Sequence, residues 1–288
     1  MNKDFAIFIC STDSYKDCWK PFFYLFKKYF AEYEGKIYLS SESEAFHHTD
    51  LDIINLQIGK YFPSRRPTWS ESLAKALELV SETYILFVLD DLFLNNPVKM
   101  ETLKEYIELA KKHDCTYLGL GGNPGPFDKS DNKLWRINNN AAYTISLLPA
   151  IWNVKKFSKY LRKHESPWQL EIYGTKRVNI CNDNFYSVNT EKYGHNSIIP
   201  YPRRTGIIRG EWNKEVIDLF ETNNIKNIDF SLRGVCDPER ICETNKIRLK
   251  RLATLKYYAI HIANIISLVD IYKLKLEKIL RRDDYNKR

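Results

Sequence analysis

Two neighbouring carboxylates, Asp90 and Asp91, close the apolar run Tyr84-Ile85-Leu86-Phe87-Val88-Leu89. Such a run suits a strand buried on both faces of a sheet. In an open α/β sheet, ligands bind beyond the carboxyl ends of the strands. An acid pair placed there can hold a divalent cation, and the cation can hold a diphosphate. The plain alternative is a pair of aspartates that caps a turn. Spacing alone leaves both readings open.

The elements around the pair alternate. Phe5–Cys10 reads as a strand, and Ser11-Thr12-Asp13-Ser14 can cap a helix over 16–30 whose Trp19, Phe22, Phe23, Phe26 and Phe30 form one apolar face. Strands are expected over 36–40 and 53–57, and a helix opens at Trp69-Ser70-Glu71-Ser72. After the strand Tyr84–Leu89, Asn96 and Pro97 are expected to begin a helix that ends near His113, followed by a strand over 116–120. This order predicts an α/β fold with a mainly parallel sheet and helices on both faces. A Gly/Pro/Asn loop over 121–126 marks a change of character. Strands are expected over Leu134–Ile137 and 142–147, Pro149 to Trp152 leads into a helix, and a short helical turn runs through Glu171.

The 288 residues, 44% of them hydrophobic, suffice for one large domain with an appendage. Domains are expected over 1–240, the catalytic body, and 241–288, a basic, amphipathic C-terminal helical segment. The net charge is +8, and the stretch 245–288 holds about twelve basic residues against about four acidic ones, so it carries nearly the whole excess. A near-neutral body without a zinc-finger, RNP or helix-turn-helix pattern argues against nucleic acid as a partner. The six cysteines form no C-x-x-C pair and no signal peptide precedes the first strand, so a cytoplasmic protein with reduced thiols is expected. The apolar part of the tail is too short and too interrupted to span a bilayer. It is left with two fates: packing on the body, or lying peripherally on an anionic membrane surface.

Several stretches in order resemble the bacterial GT-A-type glycosyltransferases that build capsule and O-antigen repeat units. They are Cys10-Ser11-Thr12-Asp13-Ser14-Tyr15, Lys20-Pro21-Phe22-Phe23, Trp69-Ser70 and Leu89-Asp90-Asp91-Leu92-Phe93-Leu94. Further on come Ser166-Pro167-Trp168-Gln169-Leu170-Glu171, Ile208-Arg209-Gly210-Glu211-Trp212 and Asp229-Phe230-Ser231-Leu232-Arg233-Gly234. They cover roughly the first 235 residues, and within the family the galactofuranosyltransferase-like members look most similar.

The resemblance implies a nucleotide-diphospho-sugar transferase fold with a C-terminal helical appendage. It further implies transfer of a sugar from a UDP-sugar to a hydroxyl of a glycan or polyprenyl-diphosphate-linked acceptor in polysaccharide biosynthesis, with inversion. Mn²⁺ or Mg²⁺ is the implied cofactor, with Asp91 as metal ligand and Asp90 beside it. The chain departs from the family's D-x-D pattern, which puts metal dependence in doubt and leaves Arg209 as another source of positive charge on the diphosphate. Thr12, Asp13, Ser14 and Tyr15 would meet the nucleobase and ribose, and Trp69 and Ser70 would line the same pocket. Glu171 is the implied general base, with Glu165 and Asp183 behind it, and Trp168 the platform for the acceptor sugar. His195 is a weaker third metal ligand. For each of these residues a structural role, as cap, core or solvated loop, is the competing reading. For the whole chain the competing reading is a non-catalytic, GT-A-shaped binding protein of the assembly machinery. No G-x-G-x-x-G follows the first strand, and no P-loop, G-x-S-x-G or H-E-x-x-H is present, which disfavours dehydrogenases, P-loop ATPases, serine hydrolases and zinc proteases.

Overall fold

The computed structural model describes residues 5–139, 141–181, 183–236 and 253–285, the side chains of 253–261 and 281–285 excepted. The expected domain junction at 240/241, the start of the basic tail and Cys242 lie outside these residues.

A nine-stranded sheet forms the centre. Its strands are β1 (Phe5–Cys10), β2 (Ile37–Ser40), β3 (Ile53–Asn55), β4 (Tyr84–Leu89), β5 (Tyr117–Gly119), β6 (Phe127–Asp128), β7 (Leu134–Ile137), β8 (Ala150–Asn153) and β9 (Phe185–Val188). Their order is β3-β2-β1-β4-β8-β5-β9-β7-β6. The first four strands are mutually parallel, β8 runs antiparallel between β4 and β5, and β7 and β6 add antiparallel strands beyond β9. The sheet is thus parallel in one half and mixed in the other.

Alternation along β1 separates two cores. Phe5, Ile7 and Ile9 pack with α1 (Lys16–Tyr29) and α3 (Met100–Lys112) on one face. Ala6, Phe8 and Cys10 pack with α2 (Trp69–Glu78) and α4 (Val154–Tyr160) on the other. Helices on both faces explain why β1 and β4 are apolar throughout rather than alternating.

Three local expectations change. Residues 95–99 are an extended link, with the Val98 N–H donating to the Tyr29 carbonyl (2.8 Å) and the Lys99 N–H to that of Ile198 (3.2 Å). The helix therefore begins at Met100 rather than at Pro97. The stretch 142–147 turns instead of extending, because Tyr143 takes a φ of +51°. The strand is Ala150–Asn153, the run read as a helix entry; the Asn153 side chain then caps α4 by accepting from the Lys156 N–H (3.1 Å).

The helical turn at Glu171 is also longer than expected. It runs from α5 (Pro167–Gln169) through a π-turn (Leu170–Gly174) into α6 (Thr175–Cys181). After α7 (Thr190–Tyr193), a small sheet of β10 (Ile207–Ile208), β11 (Glu211–Asn213) and β12 (Val235–Cys236) encloses α8 (Lys214–Thr222) in the chain. Trp212 stacks on Phe93 with ring centroids 6.0 Å apart, which ties this sheet to the end of β4.

The last helix, α9 (Ala253–Tyr285), lies against α5 and α6. Its contacts there are mostly polar. Asn264 meets Gln169 (3.0 Å), Ser267 donates to Glu165 (2.8 Å), and Asp270 pairs with Arg162 (2.8 Å). Ile271 adds an apolar contact with Tyr173 and Ile180. Beneath them Glu165 and Arg177 form a bidentate ion pair whose side chains are no more than 1% exposed. Arg177 also donates to the Tyr160 carbonyl (2.7 Å).

Candidate functional site

Because β1 to β4 are parallel, their carboxyl ends meet at one edge. The register Cys10↔Leu89 brings Ser11 level with Asp90, and Cys10↔Ser40 brings Ser41 beside Ser11. The antiparallel pairing of β8 with β4 ends at Phe87↔Ala150, short of this edge. This edge is where the acid pair stands.

Asp90 and Asp91 are 4% and 7% exposed. The Ser11 hydroxyl donates to Asp90 and accepts from the Trp19 indole N–H (2.7 Å). Asp91 accepts from the Ile207 N–H (3.4 Å) and from the Thr205 hydroxyl, and its carbonyl takes the Gly206 N–H (2.7 Å). Only a glycine fits at 206, since a Cβ there would strike the Phe93 ring and come within 2.9 Å of the Asp91 carbonyl. Burial, followed by the charge of Asp91, raises Asp90 well above the usual carboxylate range. Burial likewise pushes Asp91 up to about 6.

The cation that acts on both carboxylates is Arg233. It is anchored on Asp17 (2.6 Å), donates to the Ser14 carbonyl, and lies 4.5 Å over the Tyr15 ring. Tyr15 itself feels Asp91 and Asp90, which, after burial, raise its phenol. Sequence reasoning missed Arg233 as a site residue. Its place inside Asp229-Phe230-Ser231-Leu232-Arg233-Gly234 was the available signal; the fold brings it from the far end of the body to the first loop. Arg209 is exposed at the tip of the β10–β11 hairpin, where its φ of +55° and the +89° of Gly210 suit a two-residue turn.

Beside the acid pair opens a cavity of about 230 Å³, lined among others by Ser11, Thr12, Ser41, Glu42, Arg66 and Trp69. Thr12 and Trp69 thus line the same cavity, and the Trp69 side chain also hydrogen-bonds the Cys10 thiol. Ser70 does not line it. Its hydroxyl donates to the Glu165 carbonyl (2.7 Å), and Ser72 reaches the cavity instead. Ser14 is exposed and bonded to Thr12 (2.6 Å).

Asp13 also differs from the expected direct contact with a base or ribose. Its carboxylate accepts from the N–H groups of Glu42 (2.9 Å), Ser43 (3.0 Å) and Glu44 (3.2 Å), so it pins the loop after β2. Against the effect of partial burial, bonds from the Ser43 hydroxyl and these N–H groups hold Asp13 below its ordinary value. Arg66 bridges the same rim to Glu42 (2.9 Å).

Glu171, second in the π-turn, accepts from the Leu147 N–H (2.9 Å) in the turn that leads into β8. Burial raises its carboxyl, opposed by bonds from Leu147 and the Ser146 hydroxyl. Gly174 lets the turn approach Ile145, whose Cδ1 would lie 2.8 Å from an added Cβ. Trp168, one turn before, is 73% exposed. The other two candidate bases are engaged: Glu165 in the ion pair with Arg177, and Asp183 by the Tyr160 hydroxyl (2.7 Å).

No family model matches the chain, and no curated protein matches it. Among solved structures it is similar to S. aureus TarS 1–349, with 15% identity, a TM-score of 0.39, and 66% of this chain and 61% of that one covered. It is similar to a second S. aureus TarS structure at 14% identity and a TM-score of 0.38, covering 66% of this chain and 37% of that chain. The bifunctional IspDF from Campylobacter jejuni aligns at 17% identity and a TM-score of 0.34, covering 63% and 48%. The chain thus spans less than two thirds of each of these. Likeness at this level carries no argument about chemistry, which has to come from the site.

Among the described residues no group of three or more His, Cys, Asp and Glu side chains is arranged to hold a metal ion. His195 lies against the Gly121 carbonyl (3.4 Å) and lines a different, open cavity. A cation at the acid pair would therefore rest on Asp90 and Asp91 alone among protein carboxylates. Hard oxygen donors with raised pKa values fit Mg²⁺ or Mn²⁺ completed by phosphate and water oxygens.

Proposed function

We propose that the protein is a nucleotide-sugar-dependent glycosyltransferase of GT-A type. It would move a hexosyl group from a UDP-sugar, UDP-galactofuranose being the narrower choice, to a hydroxyl of a glycan or lipid-linked acceptor of surface polysaccharide. The observation that carries this reading is the buried Asp90–Asp91 pair, which stands at the carboxyl edge of parallel strands next to Ser11, a lining residue of a cavity of about 230 Å³.

In this reading Thr12 and Trp69 flank the nucleoside. Asp91, with Asp90 behind it, holds Mn²⁺ or Mg²⁺, which when bound neutralises charge on the leaving diphosphate. Arg233, fixed by Asp17 and Tyr15, adds a permanent positive charge on the same side. Glu171 takes the proton of the acceptor hydroxyl, and its raised carboxyl suits a base that works near neutral pH. Transfer from the face opposite the leaving UDP inverts the anomeric centre. Trp168 offers an exposed ring for the acceptor sugar.

Two substitutions test the roles. Asp91→Asn should abolish the thermal stabilisation that UDP gives with Mn²⁺. Glu171→Gln should keep that stabilisation and lose transfer. Wild-type turnover in both variants overturns the reading, and absence of UDP binding by the wild type points to a non-catalytic binding protein.

A further inference from the structure

Helix α9 is built inside out. The side that meets the body carries Asn264, Ser267 and Asp270 and hydrogen-bonds to Gln169, Glu165 and Arg162. The side facing away is apolar. Ile262, Ile265, Val269, Tyr272, Leu276 and Ile279 are 47–65% exposed and follow one another at alternating three- and four-residue steps. With Ile266, Leu268 and Leu280, also exposed, they span roughly 160° of the helix at about 3.6 residues per turn. A surface helix of a water-soluble body shows the opposite arrangement. Among the described residues no helix is long and apolar enough to cross a membrane.

We propose that this outer face docks on a bilayer surface bearing anionic headgroups, with α9 lying in the plane of the interface. Charge selects this occupant. Lys273 and Lys275 are exposed on and beside the apolar arc, Glu277 is the exposed acid at its edge, and the sequence stretch 245–288 carries nearly all of the chain's +8. A second copy of the helix is the poorer partner, because each copy would bring two exposed lysines to the flanks of the seam against the single acid Glu277 among the described residues, leaving an excess of like charge there. Trp168 (73% exposed) and Ile172 (48%) are further exposed apolar side chains on the helical segment against which α9 lies, and tryptophan favours the headgroup level. Both flank Glu171 in the same helical segment. A lipid-linked acceptor would therefore reach that segment from the membrane side, a corollary that rests on the transferase reading; the docking itself does not.

Flotation of the full chain with phosphatidylcholine vesicles, with and without phosphatidylglycerol, tests it. The wild type should bind the anionic vesicles at least tenfold more tightly and release them at high salt. The triple variant Ile265→Ser, Val269→Ser, Tyr272→Ser changes only exposed positions and should keep the wild-type melting temperature while binding roughly tenfold less. Lys273→Glu with Lys275→Glu should lower the preference for anionic lipid by roughly tenfold. No vesicle binding by the wild type, or unchanged binding by the triple variant, overturns the proposal. A wild-type dimer in light scattering that the triple variant dissolves, without vesicle binding, assigns the face to a second copy instead. UDP-induced thermal stabilisation, scored on the same samples, reports separately on the transferase reading.

Discussion

Two buried acid sites in this molecule are built on opposite principles. Glu165 is enclosed with Arg177 in a bidentate pair, and Ser267 takes up a further lone pair. Every charge there has its counter-charge in contact. Asp90 and Asp91 are nearly as buried, yet their direct partners are hydroxyls and backbone N–H groups, while the nearby Arg233 is itself paired with Asp17. Two adjacent carboxylates with no cation bonded to either among the described residues are costly to ionise, and burial raises both. The first site holds structure together. In the proposed reading the second would take a positive charge from outside.

Removing one partner from each site should separate them most clearly. Glu165→Ala leaves the Arg177 guanidinium buried without its carboxylate and should cost about 3–5 kcal/mol, read as a lower urea midpoint. Asp91→Asn should do the reverse for stability while lowering transfer by roughly 10²–10³-fold. Moving a carboxyl from 3.8 to about 6 costs the folded state on the order of 3 kcal/mol at neutral pH. The sign follows from proton binding: the folded chain holds this proton more tightly, so wild-type stability falls as pH rises from about 4 to about 6. The advantage of the Asp91→Asn variant should therefore be absent at low pH, grow across that interval and level off above it. Denaturation at several pH values measures it, and a variant that is less stable than wild type at neutral pH would remove the contrast. Third and smallest, Arg233→Met should weaken UDP binding by roughly tenfold, seen by calorimetry, with little change in the midpoint for unfolding. An effect confined to stability would make Arg233 a structural clamp on Asp17.

The elements that place the acid pair were readable because burial on both faces leaves a plain signature. Phe5–Cys10 and Tyr84–Leu89 are apolar at every position, and a strand is the short element that needs this. The same rule fails for Ala150–Asn153. Four residues after a proline carry too little periodicity to separate strand from helix entry, and its place between β4 and β5 is fixed only by the partners it finds. Within the site, the acid pair, Thr12, Trp69 and Glu171 were legible from strand ends and a capped turn. Arg233 was not, because its contacts with Tyr15 and Asp17 join segments more than two hundred positions apart. Asp13 looked like a ligand since its loop is in the right place; that its oxygens are taken by the next loop is a matter of tertiary geometry. Nor could the pattern of α9 reveal which side faces inward, because the body offers it charged and amide groups where apolar ones are usual.

Glu165 belongs to three parts of the chain at once. Its carbonyl receives Ser70 from the helix that starts with Trp69, and its carboxylate grips Arg177 of α6 and Ser267 of α9. The terminal helix is thus joined, through a single side chain and its own backbone, to the helix whose Trp69 lines the cavity.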